Sequence, residues 1–194
     1  MSSTYRPDER LLETAYELFC LRGVRDVGVD ELVDRAGVAK ATLYRHFTSK
    51  DELILAFLQL REERWTLGWL EGSVRARGGT PEERILSVFD LFGEWFREPE
   101  YAGCPFIKVL LEMGPEHPAG AASMKHLETM HDFLAQLATQ AGFREPDELA
   151  LSLQLLLFGS IIQASSGHAS AATTRAQGMA RAVMEEFRQP LPAA

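Results

Sequence analysis

Between residues 29 and 46 the sequence VDELVDRAGVAKATLYRH sets two short helix-compatible segments on either side of one glycine, Gly37. Leu32, Val33 and Ala36 recur at helical spacing in the first segment, expected over about 29–36. Leu43 is the inward residue of the second, expected over about 39–46, with Phe47 just beyond it. A corner this tight calls for a positive backbone φ, which glycine adopts without the steric cost a side chain brings. Leu32, Val38 and Leu43 then form a small core that fixes the angle between the helices. The second helix turns its other face outward: Lys40, Ala41, Thr42, Tyr44 and Arg45. A short helix with small side chains at its start can enter a DNA major groove N-terminus first.

Charge sharpens this reading. The chain is acidic, with formal net charge -8, yet residues 35–50 contain no carboxylate. The same stretch carries Arg35, Lys40, Arg45, Lys50 and His46. A carboxylate there would oppose phosphates, whereas each cation that neutralises a phosphate adds a salt-dependent share of affinity. Acidic surface elsewhere keeps the protein off non-specific polyanions.

The rest of the chain predicts more helices and almost no strand. Pro7 opens a helix whose apolar face is Leu11, Leu12, Ala15, Leu18 and Phe19, ending at Gly23. Ser49 and Glu52 make a capping box for a helix running to about residue 70. EGSVRARGG (71–79) is the expected break. Thr80-Pro81-Glu82-Glu83 then starts a helix apolar over more than one stripe, so buried on two sides. Further helices are expected near 104–113, 119–141, 147–166 and 174–188, with the tail QPLPAA frayed.

Several function classes are disfavoured. Cys20 and Cys104 lie far apart and form no CxxC pair, which suits a reducing cytoplasm better than a disulfide framework or a zinc site. The stretch MSSTYRPDERLLETAYELF has no uncharged apolar run, so no secretory signal is expected in it. Residues 149–174 carry no Asp, Glu, Lys or Arg, but Ser152, Gln154, Ser160, Gln163, Ser165, Ser166 and His168 interrupt them, so a helix buried between protein surfaces is expected rather than a membrane span. Glu128-x-x-His131 has di-iron spacing, but the motif occurs once where two are needed. With no GxSxG, P-loop or GxGxxG, neither catalytic residues nor a metal or cofactor are expected.

GVRDVGVDELVDRAGVAKATLYRHFTSKDELILAF strongly resembles the N-terminal domain of TetR-type transcriptional regulators. Gly23, Leu32, Ala36-Gly37-Val38, Thr42-Leu43-Tyr44, Phe47, Ser49-Lys50 and Leu53 carry the resemblance, over roughly residues 8–57. It implies that the second short helix reads the major groove and that Tyr44 and Lys50 hold phosphates. Lys40, Ala41, Thr42 and Arg45 become base or phosphate contacts; His46 is balanced between a phosphate contact and an exposed ring. Gly28 stands where the family usually has Thr or Ser, leaving backbone N–H groups but no hydroxyl. Val33 replaces a commonly small residue.

The resulting expectation is an all-α protein. Residues 1–57 form a three-helix helix-turn-helix domain, and residues 58–194 a helical effector-binding and dimerisation domain. The family resemblance implies a largely apolar small-molecule effector. Candidate pocket residues are Phe89, Phe92, Trp95, Phe96, Phe106, Leu110, Glu112, Met113, Met130, Phe133, Leu155 and Phe158. Core packing is the commoner role for any one of the apolar residues, and a solvent-facing helix end for Glu112, but aromatic and Met-rich cores among long helices are where a ligand cavity forms. The resemblance also implies a homodimer through the last two helices, binding a palindromic double-stranded operator as a repressor. The competing class is a helical binding or catalytic bundle without specific DNA binding.

Overall fold

The computed structural model describes residues 6–188, so the expected fraying of QPLPAA lies outside the described residues. Among them the fold is helical with no strand, as the sequence predicts. In order come α1 (Pro7–Arg22), α2 (Val29–Ala36), α3 (Lys40–His46) and α4 (Lys50–Arg61). A π-helical segment (Glu62–Glu71) leads into α5 (Gly72–Arg77), α6 (Pro81–Trp95) and α7 (Pro105–Met113). Then follow α8 (Pro118–Gln140), α9 (Pro146–Gln163) and α10 (Ala169–Glu186). The chain divides into two compact units. One holds the described residues to Thr66 together with Cys104–His126; the other holds Leu67–Gly103 and the described residues from Leu127 on.

The first unit is built on one apolar core. Leu11, Ala15, Phe19, Leu32, Leu43, Leu53 and Phe57 are buried together, and α7 adds Phe106 and Val109. Phe19 and Phe57 meet edge to face with ring centroids 5.4 Å apart. Burying each such side chain stabilises the fold by roughly 1.5–3 kcal/mol, so truncating Phe57 to Ala would cost about 3–5 kcal/mol. The expected small core of the helix pair is present, with Leu32 and Leu43 fully buried and Val38 packed against them. Gly37 ends α2 in the left-handed conformation (φ 63, ψ 41). Its N–H donates to Asp34 O and that of Val38 to Val33 O, which satisfies the last carbonyls of α2. Ser49 caps α4, its hydroxyl accepting from Glu52 N at 3.2 Å. The Glu52 carboxylate reaches Thr48 rather than Ser49, accepting from both its N–H and its hydroxyl.

In the second unit Thr80 and Glu83 make the expected reciprocal cap of α6. Phe92, Trp95, Phe96 and Tyr101 form an aromatic cluster, with Trp95 and Tyr101 centroids 4.9 Å apart. The Tyr101 hydroxyl ties this cluster to α9 by donating to Ile161 O at 3.0 Å. Two breaks are narrower than the sequence suggests. Helix continues through EGSVRAR and stops only at Gly78 (φ 68) and Gly79 (φ 80). A lone helical glycine such as Gly72 costs only about 1 kcal/mol, so it need not end a helix. Likewise α10 begins at Ala169, because just three residues, Ser166 (φ -93, ψ 16), Gly167 (φ 89, ψ 8) and His168 (φ -110, ψ 32), leave helical geometry. By length and composition the span Pro146–Glu186 could cross a membrane. Here it is bent at Gly167, and Leu149, Leu153, Leu157 and Ile161 pack it into the unit.

Candidate nucleic-acid interface

The helix-turn-helix carries its chemistry on the side opposite Leu43. Ala41, Tyr44, Arg45 and His46 are exposed, and Thr42 is half-buried. Tyr44 keeps 47% of its surface exposed, so about half of the side chain is open to a partner. An exposed ring and hydroxyl beside Arg45, held by a rigid two-helix corner, suits a phosphate backbone and base edges. Gly28 is the N-cap of α2 and makes no side-chain cap, so the hydroxyl typical of the family is replaced by bare backbone.

Two lysines have partners that sequence reasoning did not foresee. Lys40 Nζ donates to Asp30 Oδ1 at 2.7 Å, and this bond raises its pKa. Asp30 thus sets a carboxylate beside the acid-free stretch. Lys50, the first residue of α4, donates from Nζ to Val24 O at 2.5 Å. Burial lowers the Lys50 pKa, while the charges of Asp51 and Glu112 oppose that shift. An ammonium has three N–H groups, so the Val24 bond leaves donors for a phosphate.

Sequence reasoning also missed that α7 belongs to this unit. Lys108 Nζ donates to Cys20 O at 3.1 Å and Leu21 O at 3.2 Å, among the last carbonyls of α1. One turn on, Glu112 Oε2 accepts from Val24 N at 2.8 Å and Arg25 N at 2.9 Å. The available signal was a Lys and a Glu four residues apart on the otherwise apolar FIKVLLEM. Both side chains are half-buried, where such a pair needs partners.

The pocket candidates fall in both units. Phe106, Leu110, Glu112 and Met113 lie in the first, where the Glu112 carboxylate is engaged by backbone amides and Met113 packs on the common core. Phe89, Phe92, Trp95, Phe96 and Met130 are buried in the second, and Phe133 and Phe158 are half-buried. Leu155 departs from a buried pocket: 72% exposed, it lines a surface groove of about 320 Å³ between α9 and α10. In the first unit His126 stacks on Phe106 with centroids 3.4 Å apart, and its Nδ1 lies 3.3 Å from Glu62 Oε1. Burial, with the Arg61 charge adding, pushes its pKa down to about 3, so it is neutral in the fold. Cys20 and Cys104 are free thiols, and burial pushes Cys20 up to about 11.

A glycine-cornered helix pair with an exposed basic and aromatic second helix, inside an all-helical chain, defines a helix-turn-helix DNA-binding protein. Comparison with known proteins narrows the class. Residues 11–57 match the bacterial regulatory proteins of the tetR family. A putative TetR-type transcriptional regulator from Streptomyces avermitilis is 30% identical, with 91% of this chain and 99% of that one covered at a TM-score of 0.78. A TetR-family regulator from Streptomyces coelicolor superposes with a TM-score of 0.87 at 26% identity, covering 94% of this chain and 96% of that one. The chain belongs to the TetR family, a family of DNA-binding transcriptional regulators rather than enzymes.

Among curated relatives, the transcriptional activator FasR of Mycolicibacterium smegmatis is 56% identical over 55 residues, 27% of this chain and 25% of that one. The transcriptional repressor KstR2 of Mycobacterium tuberculosis is 35% identical over 82 residues, 41% of this chain and 38% of that one. The chain therefore spans well under half the length of either relative.

Proposed function

We propose that this protein is a one-component cytoplasmic repressor that binds a palindromic operator as a homodimer and is released by a largely apolar small molecule. In this reading residues 1 to about 57 bind DNA and residues 58–194 bind the effector and dimerise. The observation that carries it is the outward face of α3, where Tyr44, Arg45 and His46 stand exposed over the fully buried Leu43. Lys40, Ala41 and Thr42 supply further base or phosphate contacts, and the backbone at Gly28 meets the strand beside them. Lys50 holds a phosphate from the start of α4.

One reading head contacts few base pairs, and a two-fold dimer doubles them across major grooves roughly 34 Å apart. The outer face of α9 and α10 supports the pairing surface. Leu151 (46%), Leu155 (72%), Ile162 (57%) and Met179 (57%) are large apolar side chains left exposed along it. A second copy covering them would remove a patch costly to leave in water. Effector binding among the aromatic residues of the helical region would shift the equilibrium between DNA-competent and released arrangements. A coupling of about 1–3 kcal/mol weakens operator binding some 5–150-fold.

The test is selection of duplexes from a random-sequence pool by the purified protein, followed by titration of the recovered duplex at several salt concentrations. The expected result is a two-fold symmetric consensus bound with a steep salt dependence. Recovery of no preferred sequence would refute the proposal.

A further inference from the structure

We infer that Glu112 of α7 is a positioning residue for DNA binding: through the backbone of Val24 it holds Lys50 where a phosphate can be met. The inference rests on the reading above that Lys50 contacts DNA, and it assigns Lys50 an internal support that the matched segment, residues 11–57, does not contain.

Val24 is gripped from both polar sides. Its N–H donates to Glu112 Oε2 at 2.8 Å, and its carbonyl accepts from Lys50 Nζ at 2.5 Å. The side chain of Val24 is 1% exposed in the core of the same unit, so this residue cannot swing freely between its two partners. Arg25 N adds a second bond to the same carboxylate oxygen at 2.9 Å. Bonds from amides to an ionised carboxylate are among the stronger hydrogen bonds a protein makes.

The alignment of α7 is matched at a second point. Lys108 sets its ammonium on the carbonyls of Cys20 and Leu21, at the negative end of α1. Four residues later Glu112 sets its carboxylate on the amides that follow. Base and then acid on one helix face thus meet carbonyls and then amides, in the same order along the chain. Gly23 leaves room for this approach: its φ is +87, and a Cβ there would lie 2.0 Å from Glu112 Oε1. The glycine ends α1 and also admits the carboxylate. A displacement of α7 would therefore loosen Val24 and, through it, the Lys50 ammonium.

The test is a double-substitution cycle on the duplex selected by the wild-type protein, using Glu112→Ala, Lys50→Ala and the two combined, with Glu112→Gln as the isosteric control. Glu112→Ala is expected to weaken binding about as much as Lys50→Ala. It should also flatten the dependence of log K on log salt by about 0.9 per protomer, the contribution of one phosphate contact. The double variant should be no weaker than Lys50→Ala alone. Glu112→Gln, which keeps one acceptor and folds in the same space, should fall between wild type and Glu112→Ala. Effects that multiply in the double variant, or an unchanged salt slope in Glu112→Ala and Glu112→Gln, would overturn the inference while leaving the DNA-binding reading intact. Wild-type protein that selects no duplex would instead sink that reading, and the inference with it.

Discussion

Among the described helix pairs that turn at a positive-φ glycine, α2–α3 at Gly37 (φ 63) and α9–α10 at Gly167 (φ 89) carry opposite outer faces. In the first, seven- and eight-residue helices bury Leu32 and Leu43 and leave Tyr44, Arg45 and His46 outside. In the second, two eighteen-residue helices bury one apolar face and leave another, Leu151, Leu155, Ile162 and Met179, outside as well. Corner chemistry is shared; the outer face decides the partner. A polar, cationic face suits a phosphate backbone, whereas an apolar face suits another apolar face.

The largest effect should come from breaking the apolar face. Replacing Leu155 and Ile162 together by Glu, both exposed in the single chain, leaves each unit's core untouched. Sedimentation should show monomer, and affinity for a selected two-site duplex should fall on the order of 100-fold, because the second reading head is no longer tethered.

The corners offer a sharper contrast. A Cβ at Gly37 or at Gly167 meets nothing within 4 Å, so Gly37→Ala and Gly167→Ala carry only backbone strain. That strain is about 1–2 kcal/mol in each case, and thermal midpoints should drop by a similar few degrees. Function should separate them: Gly37→Ala weakens DNA binding at fixed dimer content, and Gly167→Ala weakens dimerisation first.

Acid provides a test confined to the first unit. His126 has a pKa pushed down to about 3 by burial, against about 6.5 in an unfolded chain. Between those values the unfolded state binds the extra proton, so stability is complete above about pH 6.5 and is lost as pH falls. The slope approaches about 1.4 kcal/mol per pH unit, and urea midpoints of His126→Phe should show a visibly weaker fall from pH 6 to pH 5. The smallest effect belongs to Asp30. Removing the partner of Lys40 by Asp30→Asn takes a carboxylate from the DNA side and frees a cation, so affinity should rise by roughly threefold at low salt.

Much of the first unit is legible in the sequence because its signals are local. Gly23 and Gly37 end helices, Ser49 caps one, and the spacing of Leu32, Val33 and Ala36 marks an inward face within two turns. The bounds of α2 and the burial of Leu43 follow directly. The π-helical segment Glu62–Glu71 does not, since EERWTLGWLE carries no local signal for a wider pitch. Nor does the docking of α7, whose Glu112 finds its partners 88 and 87 residues away. Pairings over such distances leave no periodicity, and an acid among apolar residues reads more readily as a solvent-facing helix end than as a tether to another helix. Tyr101 was invisible for the same reason: its partner Ile161 lies 60 residues on.

The claim on which the rest depends is that the outer face of α3 grips DNA. Its most direct test is a binding titration of Tyr44→Ala combined with Arg45→Ala on the duplex selected by the wild-type protein, at several salt concentrations. Both side chains are exposed and outside the core, so the fold should be kept. The expected result is binding at least about tenfold weaker, with a salt slope shallower by about 0.9 for each phosphate contact removed. Wild-type affinity with an unchanged slope would contradict the account.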